Sequence, residues 1–333
     1  MDRLSSARAS VAPDAASGLR RLAPAGRDEN RPRSLVHGRL SLRESDSPIC
    51  VGARPIGRAP RLFPRHRVLT PQLGDRGATR GRCYCLGMCG RYSVAVSGAA
   101  LADALELDGT EPGFEWEPVY SVAPRTRAPV IRDRLIDDQR VREGFLPTWG
   151  LRPSWAKEKG PRPINARLEG VATNGMFRSA FSSARALVPM TGYYEWQEAV
   201  EDGKKVKNPS YVHAPGDELL LAAGLLAFHR EGDDEDWRTT FTIITRTGED
   251  AAGEVHDRMP VFLTPAASDI WLAPEKIAKD QAGDLLDLLD VESRTIAATL
   301  RTRPVSRAVN NVRTLDRHDA DLIKPITGGG ADH

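Results

Sequence analysis

Four clusters in this 333-residue chain place reactive or hydrogen-bonding side chains where a core would carry apolar ones. They are Cys89, Asn165-Ala166-Arg167, Glu195 among Tyr193, Tyr194 and Trp196, and His256-Asp257-Arg258. A cysteine supplies a nucleophile, and a histidine gives or takes a proton near neutrality. A carboxyl set among aromatic rings loses solvation, which raises its pKa towards the range in which it can move protons. Each cluster also has an ordinary explanation. A Glu in an aromatic run can lie on the solvent face of a strand, and a His before a strand is commonly a hydrogen-bonded structural residue. An Asn-x-Arg at a helix start is commonly a cap with a surface ion pair. Spacing alone leaves a Cys/His/Glu enzyme whose reaction is open.

The elements that must position these residues lie in one part of the chain. The formal net charge of +2 conceals an asymmetry: residues 1–87 carry 17 Arg, no Lys and 7 acidic residues, and the rest is mildly acidic. Any nucleic-acid binding by the body must therefore come from a local basic cleft and not from the overall field. Residues 1–87 are rich in Arg, Pro, Gly, Ser and Ala, with no sustained helical or strand period. Such a segment cannot bury enough apolar surface to offset its ordering entropy, so disorder is expected. Lys-free, Arg-rich sequence also fits upstream codons translated from a start placed too early.

All four cysteines, Cys50, Cys83, Cys85 and Cys89, lie in the first 89 residues. The body thus lacks a disulfide framework, which fits an intracellular, cytoplasmic protein. Cys83, Cys85 and Cys89 with His66 do not have the spacing of common zinc pairs, so no metal is expected. No apolar run approaches the roughly 20 residues that span a bilayer, and no secretory h-region opens the chain.

Along the body, residues 91–96 suit a strand and Ser97 an N-cap for a short helix bearing Leu101 and Leu105. A loop rich in Pro, Gly and Glu leads to residues 119–124, short strands are expected at 130–131 and 141–145 around a charged turn, and residues 164–169 run into a helix through Phe177 and Phe181. Residues 186–190 and 192–196 form a strand pair or one bent strand, and 219–228 and 239–245 are the clearest strands. A further strand is expected at 261–263, followed by helix around 270–272 and 285–289. Many short strands with few, separated helices predict an α+β fold, one domain over 88–320 built on a largely antiparallel sheet or open barrel. Residues 321–333 read as a flexible tail.

Seven motifs then occur in a telling order: Met88-Cys89-Gly90-Arg91-Tyr92, Tyr120-Ser121-Val122-Ala123-Pro124, Trp149-Gly150, Ile164-Asn165-Ala166-Arg167-Leu168-Glu169, Gly192-Tyr193-Tyr194-Glu195-Trp196, His256-Asp257-Arg258-Met259-Pro260 and Pro304-Val305-Ser306. This set resembles the SOS-response-associated peptidase family, whose members crosslink themselves to abasic sites in single-stranded DNA, and the resemblance covers about residues 88–313. It implies that Cys89 becomes the N-terminal residue after autopeptidase removal of what precedes it. Its amine and thiol would then capture the abasic aldehyde as a thiazolidine, a ring that only a 1,2-aminothiol can form.

The resemblance further implies that Asn165 holds the Cys amino end and the sugar, and that Arg167 contacts a phosphate. Glu195 would hydrogen-bond the α-amine and carry protons, and His256 would act as an acid on the sugar oxygen. Arg258, Trp149 and Pro124 are weaker candidates for lining the DNA path. Neither metal nor cofactor is implied; the partner is single-stranded DNA with abasic sites, and a monomer is expected.

Two features depart from the pattern. Ser121 stands where the family has Asn, and Cys89 is internal, so its nitrogen is an amide in the chain as written. The competing reading is a cysteine or N-terminal-nucleophile peptidase acting on other proteins, which uses Cys89 and His256 without any dependence on abasic DNA. A DNA-binding module with an inert cysteine is a third, and leaves Glu195 and His256 without a purpose.

Overall fold

The computed structural model describes residues 89–230 and 236–326, all within one compact unit that runs from Ala78 to His333. The expectations for residues 1–87, for the zinc-like cysteines before Cys89 and for the last seven residues lie outside the described residues. Among the described residues no helix is long and apolar enough to cross a membrane.

The strands in chain order are β1 (Tyr92–Val94), β2 (Gly109–Thr110), β3 (Val119–Val122), β4 (Val130–Ile136), β5 (Gln139–Phe145), β6 (Thr148–Trp149) and β7 (Asn165–Arg167). They continue with β8 (Arg185–Met190), β9 (Gly192–Glu201), β10 (Lys204–His213), β11 (Leu220–Arg230), β12 (Trp237–Thr247), β13 (Arg258–Pro260) and β14 (Arg301–Pro304). The α-helices are α1 (Gly98–Ala104), α2 (Arg178–Ser183), α3 (Asp250–Gly253), α4 (Pro265–Leu272) and α5 (Ala282–Ala297). The fold is α+β with two large, mostly antiparallel sheets and no closed barrel. One sheet has the order β14-β10-β9-β1-β3, and the other β13-β12-β11-β8-β4-β5-β2, with β6 and β7 added in parallel along β12.

Local chemistry accounts for the layout. Strand β8 is buried at every residue because it lies mid-sheet with both faces covered, and its Ala-Leu-Val core has no polar alternation. The β4–β5 and β9–β10 hairpins turn on two residues of positive φ, Asp137 and Asp138 (51° and 61°) and Asp202 and Gly203 (50° and 74°). That is the turn whose twist matches paired strands. Gly192 is required where β9 crosses β10, since a Cβ there would lie 2.4 Å from the Tyr211 ring. The Tyr211 hydroxyl shares a hydrogen bond of 2.6 Å with Ser93 Oγ, which ties this crossing to β1.

The structure departs from expectation in several places. The strand expected at 261–263 lies instead at Arg258–Pro260, and the segment expected to open a flexible tail begins with a 3-10 turn, Ala320–Ile323, that buries Leu322. Residues 165–167 form a strand set by β12, not the opening of a helix; the α-helix begins only at Arg178. Strand β10 carries Lys204, Lys205 and Lys207 on a run with little apolar signal, so only its pairing with β9 makes it a strand.

Candidate active site around Cys89

The register of β1 against β9 sets the central contact. Tyr92 lies opposite Tyr193, and the Tyr194 N–H donates to the Arg91 carbonyl at 2.9 Å. Counting back along β1 and forward along β9 sets Gly90 opposite Glu195, so that Cys89 is one residue from the Glu195 side chain. The Cys89 backbone N–H donates to Glu195 Oε1 at 2.7 Å, and its thiol points to the Arg258 carbonyl at 3.7 Å. Cys89 is 3% exposed and Glu195 1%. The Cys89 backbone has φ of +37°, a left-handed value that a side chain adopts only at a cost.

Burial dominates the electrostatics here. Loss of solvation raises the Glu195 carboxyl to about 7, against the hydrogen bonds from Cys89 that favour its charged form; Asp257 adds a smaller upward push. Burial likewise pushes the Cys89 thiol up, with the Glu195 charge acting in the same direction. The Tyr193 hydroxyl is raised for the same reason, and Cys89 and Glu195 contribute. At neutral pH the pocket therefore holds a neutral thiol beside a carboxyl poised between its two forms. Among the described residues Glu195 Oε2 has no hydrogen-bond partner.

The wall beyond the thiol is built by Arg258. Its guanidinium forks onto Glu169 at 2.6 and 3.1 Å and also donates to the Thr245 carbonyl at 2.6 Å. His256 precedes it in a tight bend. Its Nδ1 lies 3.1 Å from the Arg258 N–H and 2.9 Å from Asp257 Oδ1. One nitrogen cannot serve both: unprotonated it accepts from Arg258, and protonated it donates to Asp257. Strand β7 completes the surroundings, pairing Asn165 with Ile243 and Arg167 with Thr245. Ile164, just before it, is the side chain nearest to Gly90. Among the described residues no group of acidic, His and Cys side chains could hold a metal ion.

Comparison with known proteins bears on this arrangement. The family described as SOS response associated peptidase (SRAP) matches residues 88–312. The chain belongs to that family. Among its relatives is the Bacillus subtilis abasic site processing protein YoaM, 31% identical over 227 residues, covering 65% of this chain and 93% of YoaM. The Escherichia coli abasic site processing protein YedK is 31% identical over 247 residues, covering 72% of this chain and all of YedK. A crystal structure from Bacteroides thetaiotaomicron shares the fold with a TM-score of 0.58 at 21% identity, covering 72% of this chain and all of that one.

Set against this SRAP membership, the structure brings Cys89, Glu195 and the Arg258 backbone into direct contact, with His256 two residues from Arg258 and Asn165 on the adjoining β7. Arg167 is exposed and, among the described residues, carries no salt bridge. Two candidates for lining a DNA path are corrected. Trp149 is 0% exposed, packed edge-on against Tyr92 and stacked near Phe241, with its indole N–H given to the Ile164 carbonyl at 2.9 Å. It is a core residue with no free face for a base. The Arg258 guanidinium is buried and committed to Glu169 and Thr245, so it braces the site and does not line a groove. Pro124 is half-buried just before the exposed Arg125.

Sequence reasoning passed over Arg91 and Glu169, although both stood inside quoted motifs. Arg91 Nη1 donates to Ser121 Oγ at 2.9 Å and to the Val309 carbonyl at 3.2 Å. The Ser121 that departs from the family pattern thus acts as an acceptor that holds Arg91 behind Cys89.

Proposed function

We propose that this protein processes abasic sites in single-stranded DNA by joining them covalently to Cys89 once that residue is the N-terminus. The observation that carries this reading is the 2.7 Å contact between the Cys89 nitrogen and Glu195 in a pocket that holds the carboxyl near 7. A group so placed can take a proton from an amine and return it to a leaving hydroxyl. The names of the relatives, abasic site processing proteins, support the same substrate.

The chemistry runs in three stages. Exposure of the amine comes first. The Cys89 sulfur attacks the carbonyl carbon of the preceding residue, the C–N bond breaks as its nitrogen takes a proton through Glu195, and water hydrolyses the thioester. The positive φ at Cys89 exists only while that residue is attached, so cleavage releases strain of about 1–3 kcal/mol. The abasic sugar then opens: the C1′–O4′ bond breaks, O4′ takes a proton from His256, and the C1′ hydroxyl loses one to leave an aldehyde. Finally the α-amine adds to the aldehyde, the carbinolamine loses water with a proton from Glu195, and the thiol adds to the imine carbon. The thiol proton passes to nitrogen, so aldehyde and aminothiol become a thiazolidine and one water.

In this reading Asn165 holds the amino end and the sugar, and Arg167 pairs with a phosphate. The test is a polypeptide beginning at Cys89, incubated with single-stranded DNA that contains one abasic site. A heat-stable adduct is expected, with the summed mass of both partners less one water, and lost in Cys89→Ala. No adduct from the Cys89-initiated protein overturns the proposal. An adduct that persists in Cys89→Ala removes the thiazolidine mechanism.

A further inference from the structure

At the opposite end of β12 from Arg258, the molecule carries an exposed patch of different character. A cavity of about 290 Å³ is lined by Arg127, Arg162 and Arg238, with Trp237 on its rim. Trp237 also lines a neighbouring cavity of about 350 Å³, together with Trp155, Met176 and Phe228. Trp237 is 59% exposed and Trp155 64%. Arg127 gives one N–H to the Leu146 carbonyl at 2.8 Å, and the Arg230 guanidinium lies 5.0 Å from the centre of the Trp237 ring. Large aromatic rings left in solvent beside guanidinium groups without carboxylate partners are still not what a solvated surface needs. Among the described residues none of the three arginines has a salt-bridge partner; the one acid lining the basic cavity, Glu111, is engaged by Arg132 at 2.5 Å.

The patch and the Cys89 site are joined through β12 and the segment that precedes β7. Arg162 lies three residues before Asn165, and its electrostatic effect reaches Arg125 across Gly150. Thr240, which lines the basic cavity, and Ile243, which pairs with Asn165, are three residues apart on one strand. At the usual strand rise that separation is about 10 Å, or about three stacked nucleotides at ~3.4 Å each. Guanidinium groups tracking phosphates beside flat rings that stack on bases form the general device for holding single strands without reading sequence.

We infer that this patch is a second subsite for single-stranded DNA, holding the strand a few nucleotides from the abasic residue through Arg127, Arg162 and Arg238, with bases on Trp237 and Trp155. The inference rests on the proposed function for its choice of ligand, yet it requires no abasic site and no free Cys89 amine. It can therefore be tested apart from the crosslink.

The test uses the full chain and an unmodified single-stranded oligonucleotide, with affinity measured by fluorescence anisotropy across a salt series. The basic leading segment adds the same background to each variant, so the readout is the difference from wild type. The R127E/R162E/R238E triple variant should bind at least ~10-fold more weakly near 0.1 M salt, and its salt slope should fall by about 2, at ~0.7 per lost phosphate contact. Trp237→Ala should weaken binding by about 5- to 100-fold with the slope unchanged, as expected for a lost stacking platform.

Photocrosslinking of an oligonucleotide carrying 5-iodouracil should label the peptide that contains Trp237 or the one that contains Trp155. Five carboxylates, Glu231, Asp233, Asp234, Glu235 and Asp236, join β11 to β12 in sequence. Matching thermal unfolding curves would show that the variants are folded. Affinities within twofold of wild type for both the triple variant and Trp237→Ala, with no label on either tryptophan, overturn the inference and assign the patch to a protein partner. DNA binding through the patch without any abasic adduct from a Cys89-initiated chain would instead sink the proposed function alone.

Discussion

The two ends of β12 handle charge in opposite ways. Near Thr245 and Thr247 the neighbours are Arg258, Glu169 and the Cys89–Glu195 pair, and the polar groups at the centre are shut away from water. Near Trp237 and Arg238 the cations and rings stand in solvent. Desolvation is the working principle at the first end: it lifts Glu195 to about 7 and keeps the thiol neutral. Solvent-facing charge is the working principle at the second, where attraction is long-ranged, salt-sensitive and indifferent to protonation near neutrality. A mutation at one end should thus change rate and pH dependence, and a mutation at the other should change affinity and salt dependence.

Glu195→Gln gives the sharpest break between the two. The amide keeps the shape but cannot exchange protons, so crosslink formation should slow by about 10²- to 10⁴-fold, and any inflection near pH 7 should vanish from the rate profile. Affinity for unmodified single strands should stay within twofold. If the inflection survives, Glu195 is not the group that titrates.

The same substitution has a stability signature. A carboxyl raised from its ordinary 4.5 to about 7 binds a proton in the folded state that the unfolded chain has released. Its contribution is therefore intact below about pH 4.5 and lost as pH rises through 7. The loss above neutrality is about 3 kcal/mol for an isolated group shifted this far. Glu195→Gln should unfold at higher temperature than wild type at pH 8, with the gap closing towards pH 5. A constant gap across that window would refute the assignment.

Trp149, which pairs through its backbone with Phe241 midway along β12, tests the boundary between the ends. Trp149→Ala should lose about 3–5 kcal/mol of stability, as large core truncations do. Below its lower melting temperature it should keep the wild-type salt slope for single strands. A reduced slope would restore Trp149 to the DNA path. The smallest effect is expected at Ser121→Ala, which removes one acceptor from the buried Arg91 and should cost about 1 kcal/mol by thermal or chemical unfolding. Ser121→Asn should keep an acceptor there and lose less than Ala does.

Much of this was legible before any coordinates. Strand β11 follows from its long apolar run and β12 from its β-branched one, α4 and α5 from Trp271, Leu285 and Leu289, and the α+β class from many strands with few helices. Residues 165–167 misled because a three-residue parallel strand has no period of its own and exists only through β12. Trp149 and Arg258 misled because an aromatic or a guanidinium in a motif looks the same in sequence whether it faces solvent or a neighbour.

The chain by itself determined which groups are available: a cysteine followed by Gly-Arg-Tyr, a carboxyl amid aromatics, and a His-Asp-Arg bend, in the order shared with the SRAP family. That order is a property of the sequence, so no fold is needed to read it. Only the tertiary structure decided that the Cys89 nitrogen meets Glu195 across two strands 106 residues apart, and that burial there moves the carboxyl to about 7. It also decided that Arg258 is spent on Glu169 while Arg127, Arg162 and Arg238 line a cavity with no carboxylate partner of their own among the described residues. The physical reason is the same in each case. Solvation and pairing depend on which residues the sheets bring together, and sequence neighbours supply only a small part of that environment.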